Sequence, residues 1–189
     1  MRSPRKIAPP PVPASSASVQ RLRVRPLPGD PRRGRLVGAG LVVPCSLGRS
    51  GLTRFKREGD GATPVGCFEI LSGRYRADRG LPVPAPVPLR PIRADDGWCD
   101  DIGDGRYNRP VRLPCRASHE DLRRDDGLYD VVLILDCNLR RRSIGRGSAI
   151  FFHCARDGFA PTAGCIALRP ADMRRLLPRL TRRTSLVVG

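Results

Sequence analysis

Apolar segments in this chain are short, and most are closed off by glycine or proline, which leaves little room for long helices. Between residues 82 and 91, Pro82, Pro84, Pro86, Pro88 and Pro91 forbid both helix and central strand. Glycine and proline number 20 each in 189 residues, a frequency that disfavours a helical bundle and favours short strands joined by turns. No heptad pattern or fixed-period repeat is visible. The length suits one domain with a buried core, plus a tail.

Residues 1–18, rich in Pro, Ser and Ala, read as a disordered tail, and residues 19–189 as one domain. Leu22, Val24 and Leu27 alternate with Arg21, Arg23 and Arg25, the pattern of a half-buried strand. Pro28-Gly29-Asp30-Pro31 turns the chain, and Leu36 to Val43 reads as a second, glycine-containing strand. A glycine-laden loop from Gly48 to Gly66 leads into a third strand, Cys67 to Leu71, and residues 72–127 are loop-dominated. Tyr129 to Asp136 has a continuous apolar core, as expected of a strand buried on both faces, and Ser148 to His153 forms another apolar strand. Pro170 suits the first turn of a helix carrying Met173, Leu176, Leu177 and Leu180 at helical spacing, which Pro178 limits. Ser185 to Val188 supplies a last strand. The expectation is a mainly β, sandwich-like domain with one clear C-terminal helix and long loops.

The formal charge of +17 raises the question of a polyanionic partner. The arginines are scattered over the whole chain, and only Lys6 and Lys56 are lysines. Solvated faces, or attraction to an anionic wall polymer, account for that distribution better than a nucleic-acid stripe. Seven cysteines, at 45, 67, 99, 115, 137, 154 and 165, include no C-x-x-C pair, so a structural zinc site is not expected. Their odd number leaves one thiol free unless a second chain pairs with it, and disulfides among the rest stay open. Near the start, Arg2, Arg5 and Lys6 run into Pro9-Pro10-Pro11, where an export signal would carry an apolar stretch. No segment approaches the ~20 apolar residues of a membrane span.

One segment holds the parts of a cysteine nucleophile. The thiolate is the attacking form, so a neighbour must take its proton, and histidine is suited to that task. His153 ends an apolar strand. Twelve residues later Cys165 follows Gly164, whose missing side chain permits positive φ and close approach. A histidine at a strand end is more often structural, and a cysteine among apolar residues more often inert core, so spacing alone leaves both readings open. Asp95 to Asp101, with Trp98, Tyr107 and Asn108, would either line a substrate groove or form a loop pinned by the tryptophan. Its spacing fails the calcium-loop pattern. His119 sits in a charged stretch and reads as surface.

Taken together, His153 and Thr162-Ala163-Gly164-Cys165-Ile166-Ala167-Leu168 resemble the signature of the L,D-transpeptidase catalytic domain (YkuD-like) family, of a proteobacterial type. Gly61-Ala62-Thr63-Pro64-Val65-Gly66-Cys67-Phe68 resembles a second element of that family, upstream of the first. The resemblance covers residues 20–188. It implies a cysteine acyltransferase acting on peptidoglycan stem peptides through a thioester, with Cys165 as nucleophile and His153 as general base and acid. It also implies a role for the Cys154 backbone carbonyl in orienting His153 and for Gly164 in an oxyanion hole. Substrate contacts are expected from Thr162, Arg169, Trp98, Tyr107 and Asn108. Many relatives carry an arginine where this chain has Ala167, a position for which Arg169 could compensate. Neither metal nor cofactor is implied. The family implies a periplasmic or envelope location, although no signal peptide is recognisable in this chain. Alternatives are an L,D-carboxypeptidase at the same site, or a non-catalytic basic module binding wall polymer or nucleic acid.

Overall fold

A computed structural model describes residues 20–80 and 84–189. The tail expected over residues 1–18 and Pro82 lie outside the described residues. The chain is mainly β. Its strands are β1 (Gln20–Leu27), β2 (Asp30–Gly38), β3 (Leu41–Ser46), β4 (Leu52–Thr53), β5 (Thr63–Pro64), β6 (Gly66–Tyr75), β7 (Leu89–Pro91), β8 (Asp96–Cys99), β9 (Arg109–Arg112), β10 (His119–Asp121), β11 (Val131–Leu135), β12 (Phe151–Cys154) and β13 (Ile166–Leu168). Helix α1 (Pro170–Leu176) and strand β14 (Thr184–Val188) follow.

The large sheet runs in the order β11-β12-β13-β3-β2-β1-β14-β6-β7 and curls until β6 also pairs with β11. Strand β6 makes this possible by pairing with β14 over its first part and with β11 over its second, beside β7. Gly66 to Glu69 pair with β14, whereas Ile70 to Tyr75 pair with β11 across a register shift. The curled sheet encloses the main core, built from one side of each strand: Leu22 and Val24, Leu36, Val43, Val131 and Leu133, Phe152, Ile166 and Leu168, and Leu186. The helix adds Met173 and Leu176 to this core. It starts on Pro170 at its first position and gives way to a single 3-10 turn holding Pro178, whose ring cannot continue it.

Strand β11 explains its own composition. Val131, Leu133 and Leu135 face the main core, while Val132 and Ile134 face a second cluster with Trp98, Leu122, Tyr129, Phe151 and Cys165. That second cluster lies between the outer face of β11 and β12 and a small sheet ordered β10-β8-β9.

Two expectations are corrected. Leu36 to Val43 is not one strand but the end of β2, a turn at Ala39-Gly40 and the start of β3. Both turn residues have positive φ (52° and 69°), the geometry that matches the twist of a two-residue hairpin. The alanine at the first of these positions hid a turn that Asn-Gly would have announced. Within the expected loop 72–127, residues around Trp98 and His119 form the small sheet, and His119 is half-buried rather than surface. Its strands are only three or four residues long, too short to show periodicity.

Candidate active site

Parallel strands β12 and β13 lie side by side, with Phe152 opposite Ile166 and His153 opposite Ala167. Alternation along a strand therefore sends Phe152, Cys154, Ile166 and Leu168 into the main core and Phe151 and His153 to the outer face. Cys165, one residue before β13, falls on that outer face as well, packed with Phe151 and Tyr129. Nucleophile and base candidates thus share one face of adjoining strands, on a diagonal. Tyr129 packs edge-on to His153, with ring centroids 5.3 Å apart.

The pair is electrically neutral at rest. Burial pushes the Cys165 thiol up to about 12, only partly opposed by the Phe151 N–H, which donates to Sγ at 3.3 Å. The thiol donates to the Ala149 carbonyl at 3.2 Å, and the imidazole is not among its hydrogen-bond partners. Burial likewise takes His153 down to about 4. Nδ1 lies 2.8 Å from the Cys154 carbonyl, an acceptor, so Nδ1 carries the proton and Nε2 is left as the basic nitrogen. A preformed thiolate–imidazolium pair, the usual route to a reactive cysteine, is therefore absent. What the arrangement offers is a neutral base beside a neutral thiol, with transfer left to the moment of attack.

The turn that carries Cys165 is braced by two threonines. Thr162 Oγ1 accepts from Gly164 N–H (3.1 Å) and donates to the Cys165 carbonyl (2.7 Å). Thr63 Oγ1, fully buried, accepts from Gly48 N–H (2.8 Å) and donates toward the same carbonyl at 3.4 Å. Thr63 belongs to the upstream sequence element, whose contribution here is structural support from beneath. Glycine is required at two points. A Cβ on Gly48 would meet the Gly61 carbonyl oxygen at 2.3 Å. One on Gly164, which has φ +136°, would meet the Ala62 carbonyl oxygen at 2.9 Å. Because Gly164 N–H is committed to Thr162, it is not an open oxyanion donor in this arrangement.

A cleft of about 350 Å³ opens onto His153, Cys165, Thr162 and Ala167. Its remaining walls bring Arg49, Glu120, Arg124, Tyr129 and Arg156, none of which the sequence singled out. Glu120 accepts from Arg124 (2.6 Å) and from Tyr129 Oη (3.1 Å). These residues come from separate loops and from β10, so only the tertiary fold joins them. Three expected substrate contacts are corrected. Trp98, Tyr107 and Asn108 are buried and do not line the cleft. Asn108 Oδ1 accepts from Trp98 Nε1 (2.9 Å) and Ala149 N–H (3.2 Å), fixing the residue whose carbonyl holds the thiol. Tyr107 donates to Glu58, which also accepts from Ser148. Arg169 too lies off the cleft, drawn to Asp172 (3.1 Å) and stacked over Phe159.

All seven cysteines are unpaired. Among the described residues, no three His, Cys, Asp or Glu side chains cluster as a metal would need, and no helix is long and apolar enough to cross a membrane.

Comparison with known proteins adds to this geometry. A family model described as the L,D-transpeptidase catalytic domain, YkuD, matches residues 31–188. No curated protein matches the chain. Among solved structures, an L,D-transpeptidase from Mycobacterium smegmatis is similar at 15% identity and a TM-score of 0.39, over 90% of this chain and 58% of that one. Mycobacterium tuberculosis L,D-transpeptidase 1 is similar at 15% identity and a TM-score of 0.38, over 89% of this chain and 62% of that one. The chain thus spans about three fifths of the length of either structure.

Proposed function

The chain belongs to the YkuD family of L,D-transpeptidase catalytic domains, and from that premise we propose that it is a cysteine acyltransferase acting on peptidoglycan stem peptides. The observation that carries the reading is the placement of Cys165 and His153 on one face of adjoining strands, both opening onto a single cleft. In the proposed reaction the thiol leaves the Ala149 carbonyl and turns to Nε2 of His153. The sulfur attacks the carbonyl at the L-centre of a diaminopimelate as its proton passes to the imidazole. The carbon–nitrogen bond to the following D-alanine then breaks, and His153 returns the proton to the departing amine. A thioester on Cys165 remains. The side-chain amine of a second stem attacks it, His153 takes the amine's proton, and the released thiolate is reprotonated, leaving a 3–3 cross-link.

Cys154 serves by fixing the tautomer through its carbonyl, and Thr162 by holding the turn. Negative charge on the attacked oxygen would be met by backbone N–H groups of this turn, Gly164 being freed from Thr162 Oγ1 as substrate enters. The proposed setting is the cell envelope, where the polymer lies. Incubation with purified disaccharide-tetrapeptides, with products weighed by mass spectrometry, tests the reading. A cross-linked dimer with release of D-alanine supports transpeptidation. Tripeptide alone assigns hydrolysis at the same site, and unchanged substrate removes the enzymatic reading in favour of a basic binding module.

A further inference from the structure

Three guanidinium groups line the cleft, and two of them are already neutralised. Arg124 holds Glu120 at 2.6 Å and Asp126 at 2.7 Å, and Arg156 reaches Asp126 at 3.3 Å. Arg49 is different. Among the described residues, no carboxylate lies within ion-pair distance of it, and it is exposed on the cleft wall. It is nevertheless held in place. Its backbone N–H donates to the carbonyl of Thr162 (2.9 Å), in the nucleophile turn itself, and Nη2 donates to the carbonyl of Gly59 (3.2 Å). The side chain crosses over Gly61, where an added Cβ would lie 2.7 Å from both Cζ and Nε of Arg49. Ala167 lines the same cleft and supplies no charge, while Arg169 is tied away at Asp172.

A positioned, unpaired guanidinium tethered to the nucleophile turn is matched to a carboxylate, which it can engage through two parallel N–H donors. Resting on the acyl-transfer reading above, we propose that Arg49 selects the donor substrate by binding the free C-terminal carboxylate of the residue that leaves. Arg49 and Cys165 line one cleft, so a carboxylate anchored at Arg49 directs attack to a bond near the peptide's C-terminus.

The test uses the full chain with Cys165→Ala, so that binding is read whether or not an acyl-enzyme can form. Disaccharide-tetrapeptide with a free terminal carboxylate and its C-terminal carboxamide are titrated calorimetrically. The acid should bind roughly ten-fold or more tightly than the amide, as a charge-assisted contact implies. Adding Arg49→Gln should bring the acid to the level of the amide, and Arg49→Lys should keep part of the preference. Equal binding of acid and amide by the parent would overturn the proposal. So would an unchanged ratio in the Gln variant, whereas no measurable binding of either peptide would overturn the acyl-transfer reading and the proposal with it.

Discussion

Lowering the pH should destabilise this protein through His153 well before its carboxylates titrate. The ring is 4% exposed, and burial holds its protonation near 4 in the folded chain, against 6.5 for an unperturbed histidine. Between those values the unfolded chain takes up a proton that the folded chain refuses. The contribution is fully present above 6.5 and is lost as pH falls toward 4. Linkage at ~1.36 kcal/mol per unit gives a loss of about 2 kcal/mol by pH 5, a sizeable part of the ~5–15 kcal/mol typical of a domain. Urea denaturation at a series of pH values reads it as a midpoint shift of roughly 1 M. His153→Gln supplies the reference, because it cannot titrate. Carboxylates held low by arginine, such as Asp78 and Asp126, are common to both proteins and cancel. The wild type should lose stability relative to the variant between pH 7 and 5. Parallel curves over that range would refute the assignment of a buried, neutral imidazole.

Other consequences are as direct. The acid limb of turnover should fall near pH 4 rather than 6.5, since the base stays unprotonated until then; a pH–rate profile with a limb at 6.5 would contradict it. In the substrate-free protein, iodoacetamide followed by peptide mapping should modify exposed Cys67 before buried Cys165, the reverse of the order for a preformed thiolate. Thr63→Val strands the buried Gly48 N–H and should cost ~1–3 kcal/mol in denaturation. Gly164→Ala, at φ +136° and against the Ala62 carbonyl, should cost a similar ~1–3 kcal/mol and suppress thioester formation.

The sequence disclosed what periodicity and motif can carry. Continuous burial of Val131 to Leu135 follows from an apolar run with no polar face, and α1 from Pro170 and the spacing of Met173 and Leu176. The positions of His153 and Cys165 on one sheet face follow from strand parity once β12 and β13 are known to be neighbours, which is a fact of topology rather than of local pattern. Long-range partners were hidden for the same reason. Arg49, Glu120 and Arg124 are separated by tens of residues from Cys165 and join it around one cleft only through the fold. Trp98, Tyr107 and Asn108 have side chains that suit ligand contact, and their hydrogen-bonding groups are consumed by Asn108, Glu58 and loop carbonyls.

Trapping the acyl-enzyme bears on the catalytic claim most directly. After brief incubation with a disaccharide-tetrapeptide and acid quench, proteolysis and mass spectrometry should find the substrate, less its terminal D-alanine, joined to Cys165. The adduct should vanish in Cys165→Ala and fall sharply in His153→Ala. Undiminished product formation by Cys165→Ala, or an adduct carried by another cysteine, would contradict the mechanism.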